Sequence, residues 1–206
     1  LPRLNGTRFS VSNDYCAVLG AKRDKGFLFV YDRRSLKMLR NKELKGDTND
    51  HIPIIVKDWV IAGHSSGATG IHAKDKSKDW NFPRFQLTCN FVSYGNRVFS
   101  LELSQMLQAR PISYQVDGAK VELNHPKLPT LGQRKFPLLL RHKDELIVCC
   151  EVTCFGLKLP SCEPLWQVRS PANLARNAPA LISNNSLYVA SKSAIWRLNL
   201  PPKQGL

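Results

Sequence analysis

Three stretches of this chain follow one recipe, and that recipe limits what the chain can fold into. They are Ile52-Pro53-Ile54-Ile55-Val56-Lys57-Asp58-Trp59-Val60-Ile61-Ala62, then Phe136 to Val148, then Ala178 to Ala190. Each has an apolar residue, a proline, a short apolar run, a polar turn and a second apolar run. Proline can open a strand but cannot sit inside one, because it has no N–H for the ladder. The polar pair then reverses the chain, and the second run pairs back on the first. Looser copies run from Phe9 to Gly20 around Asn13-Asp14, and from Leu87 to Leu103 around Gly95-Asn96.

The turns fall near 13, 58, 96, 144 and 184, so the gaps are 45, 38, 48 and 40 residues. A period of about 40–50 residues suits four antiparallel strands per repeat. Helical repeats of that length would need apolar residues at i, i+3, i+4 and i+7, whereas these runs are short and β-branched. A third apolar segment follows each of four hairpins: Gly26–Asp32, Gly70–Asp75, Phe155–Leu159 and Ala194–Leu200. Fourth segments are expected at Lys37–Leu44, Asp79–Phe82, Ile112–Val116 and Pro164–Val168, with none in the last unit. The expectation is one all-β domain over residues 1–206, a β-propeller of four-stranded antiparallel blades with about four to five present.

The apolar-Pro, turn, Leu-Tyr-Val-Ala-Ser and Ile-Trp-Arg-Leu-Asn pattern of the last unit resembles the blades of quinoprotein-like propellers. Gly26 to Lys37, with Val30-Tyr31-Asp32-Arg33-Arg34-Ser35, resembles the third strand of a WD-repeat blade, Tyr31 standing where that family has Trp. The resemblance implies a rigid binding scaffold. The chain starts at Leu1-Pro2-Arg3 and is too short for seven or eight such blades, which points to the C-terminal part of a larger propeller. The other arrangement is a small closed ring in which Pro2–Arg8 supplies the outer strand of the last unit.

Cys16, Cys89, Cys149 and Cys150 lie within apolar runs, while Cys154 and Cys162 lie nearer loops. Strand cysteines behave as small buried hydrophobes. Free thiols and a cytoplasmic or nuclear location are therefore expected, despite the sequons Asn5-Gly6-Thr7 and Asn184-Asn185-Ser186. Neighbouring Cys149 and Cys150 would point to opposite faces of a strand, so core filling is expected of them rather than a bond. The five histidines are scattered and no C-x-x-C pair occurs, so no metal or cofactor is implied. Trp59, Trp80, Trp166 and Trp196 are read as inter-blade core. No run is long enough to cross a bilayer as a helix.

Gly63-His64-Ser65-Ser66-Gly67 matches the G-x-S-x-G elbow of serine hydrolases. That chemistry needs a strand-to-helix turn, followed by an acid and a histidine on a parallel sheet. The sequence after Ala68 offers no amphipathic helix, so a loop is the expected reading and hydrolysis by Ser65 a minor alternative.

The formal charge of +14, from 30 Lys and Arg against 16 Asp and Glu, has to be placed. It creates a field that attracts acidic partners. In a propeller, the loops joining second to third strands share a face with those joining successive blades. Lys22, Arg23, Lys25, His64, Arg84, Arg134, Lys135, Arg176 and Lys192 map to that face as candidate partner contacts. Arg33, Arg34, Lys74, Lys76, Lys78, Arg141 and Lys143 map to the opposite one. The insert from Val116 to Phe136, with Leu123, Leu128 and Leu131, is either a binding loop or a linker. The leading expectation is a non-catalytic scaffold docking an acidic peptide or complex subunit; a nucleic-acid-associated propeller is the alternative.

Overall fold

The computed structural model describes residues 5–22, 25–46, 48, 51–83, 90–103, 109–122, 125, 128, 137–150, 153–169, 180–190 and 194–200. They form five antiparallel sheets that follow one another along the chain. Blade one holds β1 (Asn5–Val11), β2 (Tyr15–Lys22), β3 (Lys25–Asp32) and β4 (Met38–Leu44). Blade two holds β5 (Ile54–Val56), β6 (Trp59–His64), β7 (Gly67–His72) and β8 (Trp80–Pro83), with a 3-10 turn at Lys76–Lys78. Blade three holds β9 (Val92–Tyr94), β10 (Arg97–Leu103), β11 (Ala109–Gln115) and β12 (Val121–Glu122). Blade four holds β13 (Leu138–His142), β14 (Glu145–Cys149), β15 (Thr153–Lys158) and β16 (Glu163–Arg169). Blade five shows β17 (Ala180–Ser183), β18 (Ser186–Ala190) and β19 (Ile195–Asn199) among the described residues.

Every sheet is ordered as its strands occur in sequence, so each blade is a meander. The reversals sit where the polar pairs foretold them. The chain turns at Lys57-Asp58, Gly95-Asn96, Lys143-Asp144 and Asn184-Asn185, with Val56 paired to Trp59, Tyr94 to Arg97, His142 to Glu145 and Ser183 to Ser186. Lys57, Gly95, Lys143 and Asn184 take positive φ, the twist that two-residue hairpins require.

Two expectations need correction. Ile112–Val116 is not the fourth strand of its unit: Ile112–Gln115 belongs to the third strand, and the two-residue β12 supplies the fourth. Pro111 pairs with Leu101 inside the ladder. The outer-strand role given to Pro2–Arg8 also fails, since residues 5–8 belong to β1 and pair with β2.

Apolar seams hold consecutive blades together. Leu19, Leu28 and Val30 of blade one meet Val60, Ala62 and Ile71 of blade two. Trp59, Ile61 and Phe82 meet Val98, Ile112 and Tyr114 of blade three. Phe99 and Leu101 meet Val148, Phe155 and Leu157 of blade four, and Ile147 and Cys149 meet Leu187 and Val189 of blade five. Burying each such side chain is worth about 1.5–3 kcal/mol. Because a blade is covered on both faces, β6 is buried at every position and shows no alternation, whereas the outer strand β16 is mostly exposed.

A second device was not anticipated. Gly70 on β7 faces Trp80 on β8, and Gly156 on β15 faces Trp166 on β16. A Cβ on either glycine would come within 2.1 Å of the indole. Glycine followed ten residues later by tryptophan was the sequence signal. The indoles are anchored by Trp80 Nε1 donating to the Val116 carbonyl (3.0 Å) and Trp166 Nε1 donating to Glu145 Oε2 (3.1 Å). Trp59 is also core, but Trp196 is 37% exposed, contrary to expectation.

Cys16, Cys149, Cys150, Cys154 and Cys162 are free thiols, and Cys89 lies outside the described residues. Cys149 packs into the blade four–five seam and Cys150 into the blade three–four seam, as strand alternation demands. Cys154 lies within β15 rather than near a loop.

Candidate partner-binding face

Strand direction assigns the loops to two faces. One carries the turns between first and second and between third and fourth strands (the turn face). The other carries the second-to-third-strand turns and the crossovers between blades (the crossover face). The first crossover lies down on the next blade. A Cβ at Gly46 would meet Ser65 Oγ at 2.3 Å, and one at Gly63 would meet His51 Nδ1 at 2.6 Å.

On the turn face, several carboxylates pair with cations. Asp58 accepts from the Tyr15 hydroxyl across the first seam and lies 3.0 Å from Lys74 Nζ. The tyrosine's hydrogen bond, then the lysine's, hold the Asp58 carboxyl below its ordinary range. Asp79 is the most enclosed: its Oδ2 accepts from Arg40 at 2.8 Å and Lys42 at 3.4 Å, and its Oδ1 from the His72 amide. Arg40 and Asp79 side chains are 12% and 6% exposed, so this is a buried bridge between blades one and two. Glu122 takes both nitrogens of Arg97 and also Lys120 at 3.1 Å, which lowers its pKa to about 2. Asp32 and Asp75 are lowered by local hydrogen bonds, from the Ser35 amide and the Ser77 hydroxyl respectively. Arg141 stacks over Tyr94, whose hydroxyl donates to Asp144 at 3.3 Å.

The crossover face is different. Lys22 and Lys45 are exposed there with no carboxylate partner among the described residues, while Lys25 pairs with Glu43 at 2.7 Å. Arg169 ends β16 beside Thr153, and these two with Gln167 and Val168 line an open depression of about 560 Å³. Of the nine candidate contacts, the structure thus places Lys22 and Lys25 on this surface. Arg23, Arg84, Arg134, Lys135, Arg176 and Lys192 lie outside the described residues, as does most of the 116–136 insert. Leu128 of that insert is buried in the blade three–four seam, its N–H bonded to the Ala109 carbonyl at 2.9 Å.

His64 requires correction as a surface contact. It is 4% exposed, and its Nε2 lies 3.1 Å from Thr69 Oγ1, which donates to Asn81 Oδ1 at 2.7 Å. The threonine proton is committed to Asn81, so Nε2–H is the histidine donor. Burial, then the neighbouring His51, lower the His64 pKa to about 4, so the ring is neutral at pH 7. It adds no charge to the face.

Two serines bear on catalysis. Ser65 occupies a tight turn between paired β-strands, His64 facing Gly67, without the helix that a nucleophile elbow needs. Sequence reading missed a second contact: His125 Nε2 lies 3.1 Å from Ser113 Oγ, and its Nδ1 3.1 Å from the Ser161 carbonyl. That carbonyl can only accept, so Nδ1 carries the proton and Nε2 accepts from the serine. Ser113 is 1% exposed, out of reach of a substrate carbonyl, and the contact ties blade three to the turn at Ser161 in blade four. Among the described residues, no group of three or more His, Cys, Asp or Glu is placed to hold a metal ion, and no helix is long and apolar enough to cross a membrane.

No protein-family model and no curated protein matches the chain. Solved structures do. Hsv2p of Kluyveromyces lactis superposes with a TM-score of 0.67 at 9% identity, covering 98% of this chain and 64% of that one. The Cps50 (Swd1) β-propeller domain of Myceliophteria thermophila gives 0.65 at 9% identity, with 100% and 69% covered. BamB of Moraxella catarrhalis gives 0.64 at 10% identity, with 94% and 60% covered. The fold is a β-propeller. The chain spans about 60% of the length of the solved propellers it matches.

Proposed function

We propose that this chain is a non-catalytic propeller scaffold that docks an acidic segment of a protein partner on its crossover face. The observation that carries the reading is the unequal pairing of charge. Turn-face carboxylates engage the neighbouring cations, whereas Lys22, Lys45 and Arg169 stand without an ionic partner among the described residues. A protein of charge +14 presents a positive field wherever its cations stand without a carboxylate. The sequence places Arg23, Arg84, Arg134, Lys135, Arg176 and Lys192 on the same side, and each would add to that field. Free thiols in the seams fit a reducing compartment, cytoplasm or nucleus.

The test is anisotropy titration of a fluorescent poly-glutamate peptide of about twenty residues, against a single-stranded oligonucleotide of equal charge. Saturable peptide binding that Lys22→Glu with Lys45→Glu weakens, and Lys76→Glu with Lys78→Glu does not, supports the proposal. Oligonucleotide binding far tighter than peptide binding, with a steep salt dependence, would move the assignment to nucleic acid.

A further inference from the structure

β14 and β15 set two thiols face to face. Cys149 pairs with Cys154 at the end of their ladder, and the register runs unbroken from there to Glu145 opposite Lys158. Two backbone bonds fix which kind of pair this is. The Leu159 N–H donates to the Asp144 carbonyl and the Cys150 N–H to the Thr153 carbonyl, both at 2.8 Å. Hydrogen-bonded and non-hydrogen-bonded pairs alternate along an antiparallel ladder. With 144–159 and 150–153 of the first kind, 149–154 is of the second. Such pairs hold their Cα atoms about 4.5 Å apart, with the side chains at their closest. A disulfide needs about 4.4–6.8 Å between Cα atoms. The backbone already stands where that bond requires it.

The other described cysteines stand elsewhere. Cys150 points to the opposite side of the blade and lies with Cys162 in the blade three–four seam, and Cys16 is on β2 of blade one. Cys149 and Cys154 lie under blade five, packed with Leu187 and Val189. They are 2% and 1% exposed. Their thiols hydrogen-bond to one another, and that contact, then burial, raises the Cys149 pKa well above its ordinary value. Cys149 thus keeps its proton and shares it with Cys154, which makes Cys154 the sulfur that attacks first.

We infer that Cys149 and Cys154 are a reversible dithiol–disulfide site, oxidised by small disulfides such as glutathione disulfide and gated by blade five. The Cys154 thiolate attacks one sulfur of glutathione disulfide and expels one glutathione thiolate. The Cys149 sulfur, giving up its proton, then attacks Cys154 Sγ in the mixed disulfide and expels the second glutathione. Two electrons pass from the pair to glutathione disulfide, and the two thiol protons end on the released glutathiones. An excess of reduced glutathione runs the same steps backward. Because Leu187 and Val189 cover both sulfurs, each direction waits for blade five to lift from blade four. The closed bond staples β14 to β15 on the surface that blade five packs against.

The complete polypeptide is incubated with glutathione disulfide in native buffer, its remaining thiols are capped with N-ethylmaleimide in urea, and the chain is cut after glutamate. Cleavage after Glu151 separates Cys149 from Cys154, so a bond between them survives as a linked peptide pair. Fragment-ion sequencing then names the two sulfurs. The expected link is Cys149–Cys154, reversed by dithiothreitol and absent in Cys149→Ala, while Cys150→Ala still forms it. Leu187→Ala should speed closure at least about fivefold, and Val60→Ala, which loosens the blade one–two seam, less than about twofold. If Leu187→Ala does not fold, Val189→Ala takes its place. No link in the native chain, or a link through Cys150 or Cys162 instead, overturns the inference. Equal acceleration by the two seam variants overturns it as well, since closure would then need the whole chain to unfold.

Discussion

Asp58 beside Lys74, Asp79 beside Arg40 and Glu122 beside Arg97 describe one side of this molecule; Lys22, Lys45 and Arg169, without such neighbours among the described residues, describe the other. Both sides are rich in lysine and arginine, so counting cations does not separate them. What separates these residues is whether a carboxylate stands beside each cation. A cation held at 3 Å by a carboxylate contributes little field beyond a Debye length, while an unpaired one projects into solvent. The charge of Lys74, Arg40 and Arg97 is therefore structural, whereas that of Lys22, Lys45 and Arg169 is not tied up in an ion pair among the described residues.

The largest expected effect breaks the turn face at its most enclosed point. Asp79→Ala leaves Arg40 buried without its carboxylate, and such a loss costs about 3–5 kcal/mol. Urea unfolding followed by circular dichroism measures it, and a loss below about 1 kcal/mol would mean that the pair is no more than a surface contact.

Acid separates the two faces next. His64 is neutral in the fold with a pKa of about 4 but takes up a proton near 6.5 once unfolded. The unfolded state thus binds the extra proton, and stability falls as pH drops from about 6.5 to 4, by about 2 kcal/mol at pH 5. Glu122 is depressed instead, so its contribution is intact above its ordinary pKa and is lost only as pH falls from about 4.5 toward 2. Urea midpoints between pH 7 and 5 should shift in the parent chain and lie nearly flat in His64→Gln. A slope unchanged by that substitution would place the proton uptake elsewhere.

Reversing Lys22 and Lys45 together should leave stability within about 0.5 kcal/mol, while weakening the acidic peptide about tenfold, or about 1.4 kcal/mol. Equal weakening by Lys76→Glu with Lys78→Glu would erase the distinction between faces. The smallest effect concerns the crossover-face lysine that does have a partner. Glu43→Gln frees Lys25 from an exposed pair worth at most about 1 kcal/mol, and peptide affinity should rise by less than threefold.

The hairpins were legible because turn chemistry is local. Lys57-Asp58 and Asn184-Asn185 announce reversals whatever surrounds them. The fate of His64 was not legible. It follows Val60–Gly63 in a strand buried on both faces, so no alternation marks where the interior ends. β12 was hidden for another reason: two residues carry no period, and the ladder absorbed Pro111. Charge pairing was the least readable. Arg40 and Asp79 are far apart in sequence and meet only because β4 of one blade lies against the closing turn of the next.

The placement of the tryptophans decides what light can report. Trp59 and Trp80 are seated between blades two and three, and Trp166 between blades four and five. The junction bridged by Arg40 and Asp79 has no indole within it. Intrinsic emission would track separation of the later blades while staying dark to blade one peeling from blade two, so that event has to be watched through a backbone signal or an added fluorophore.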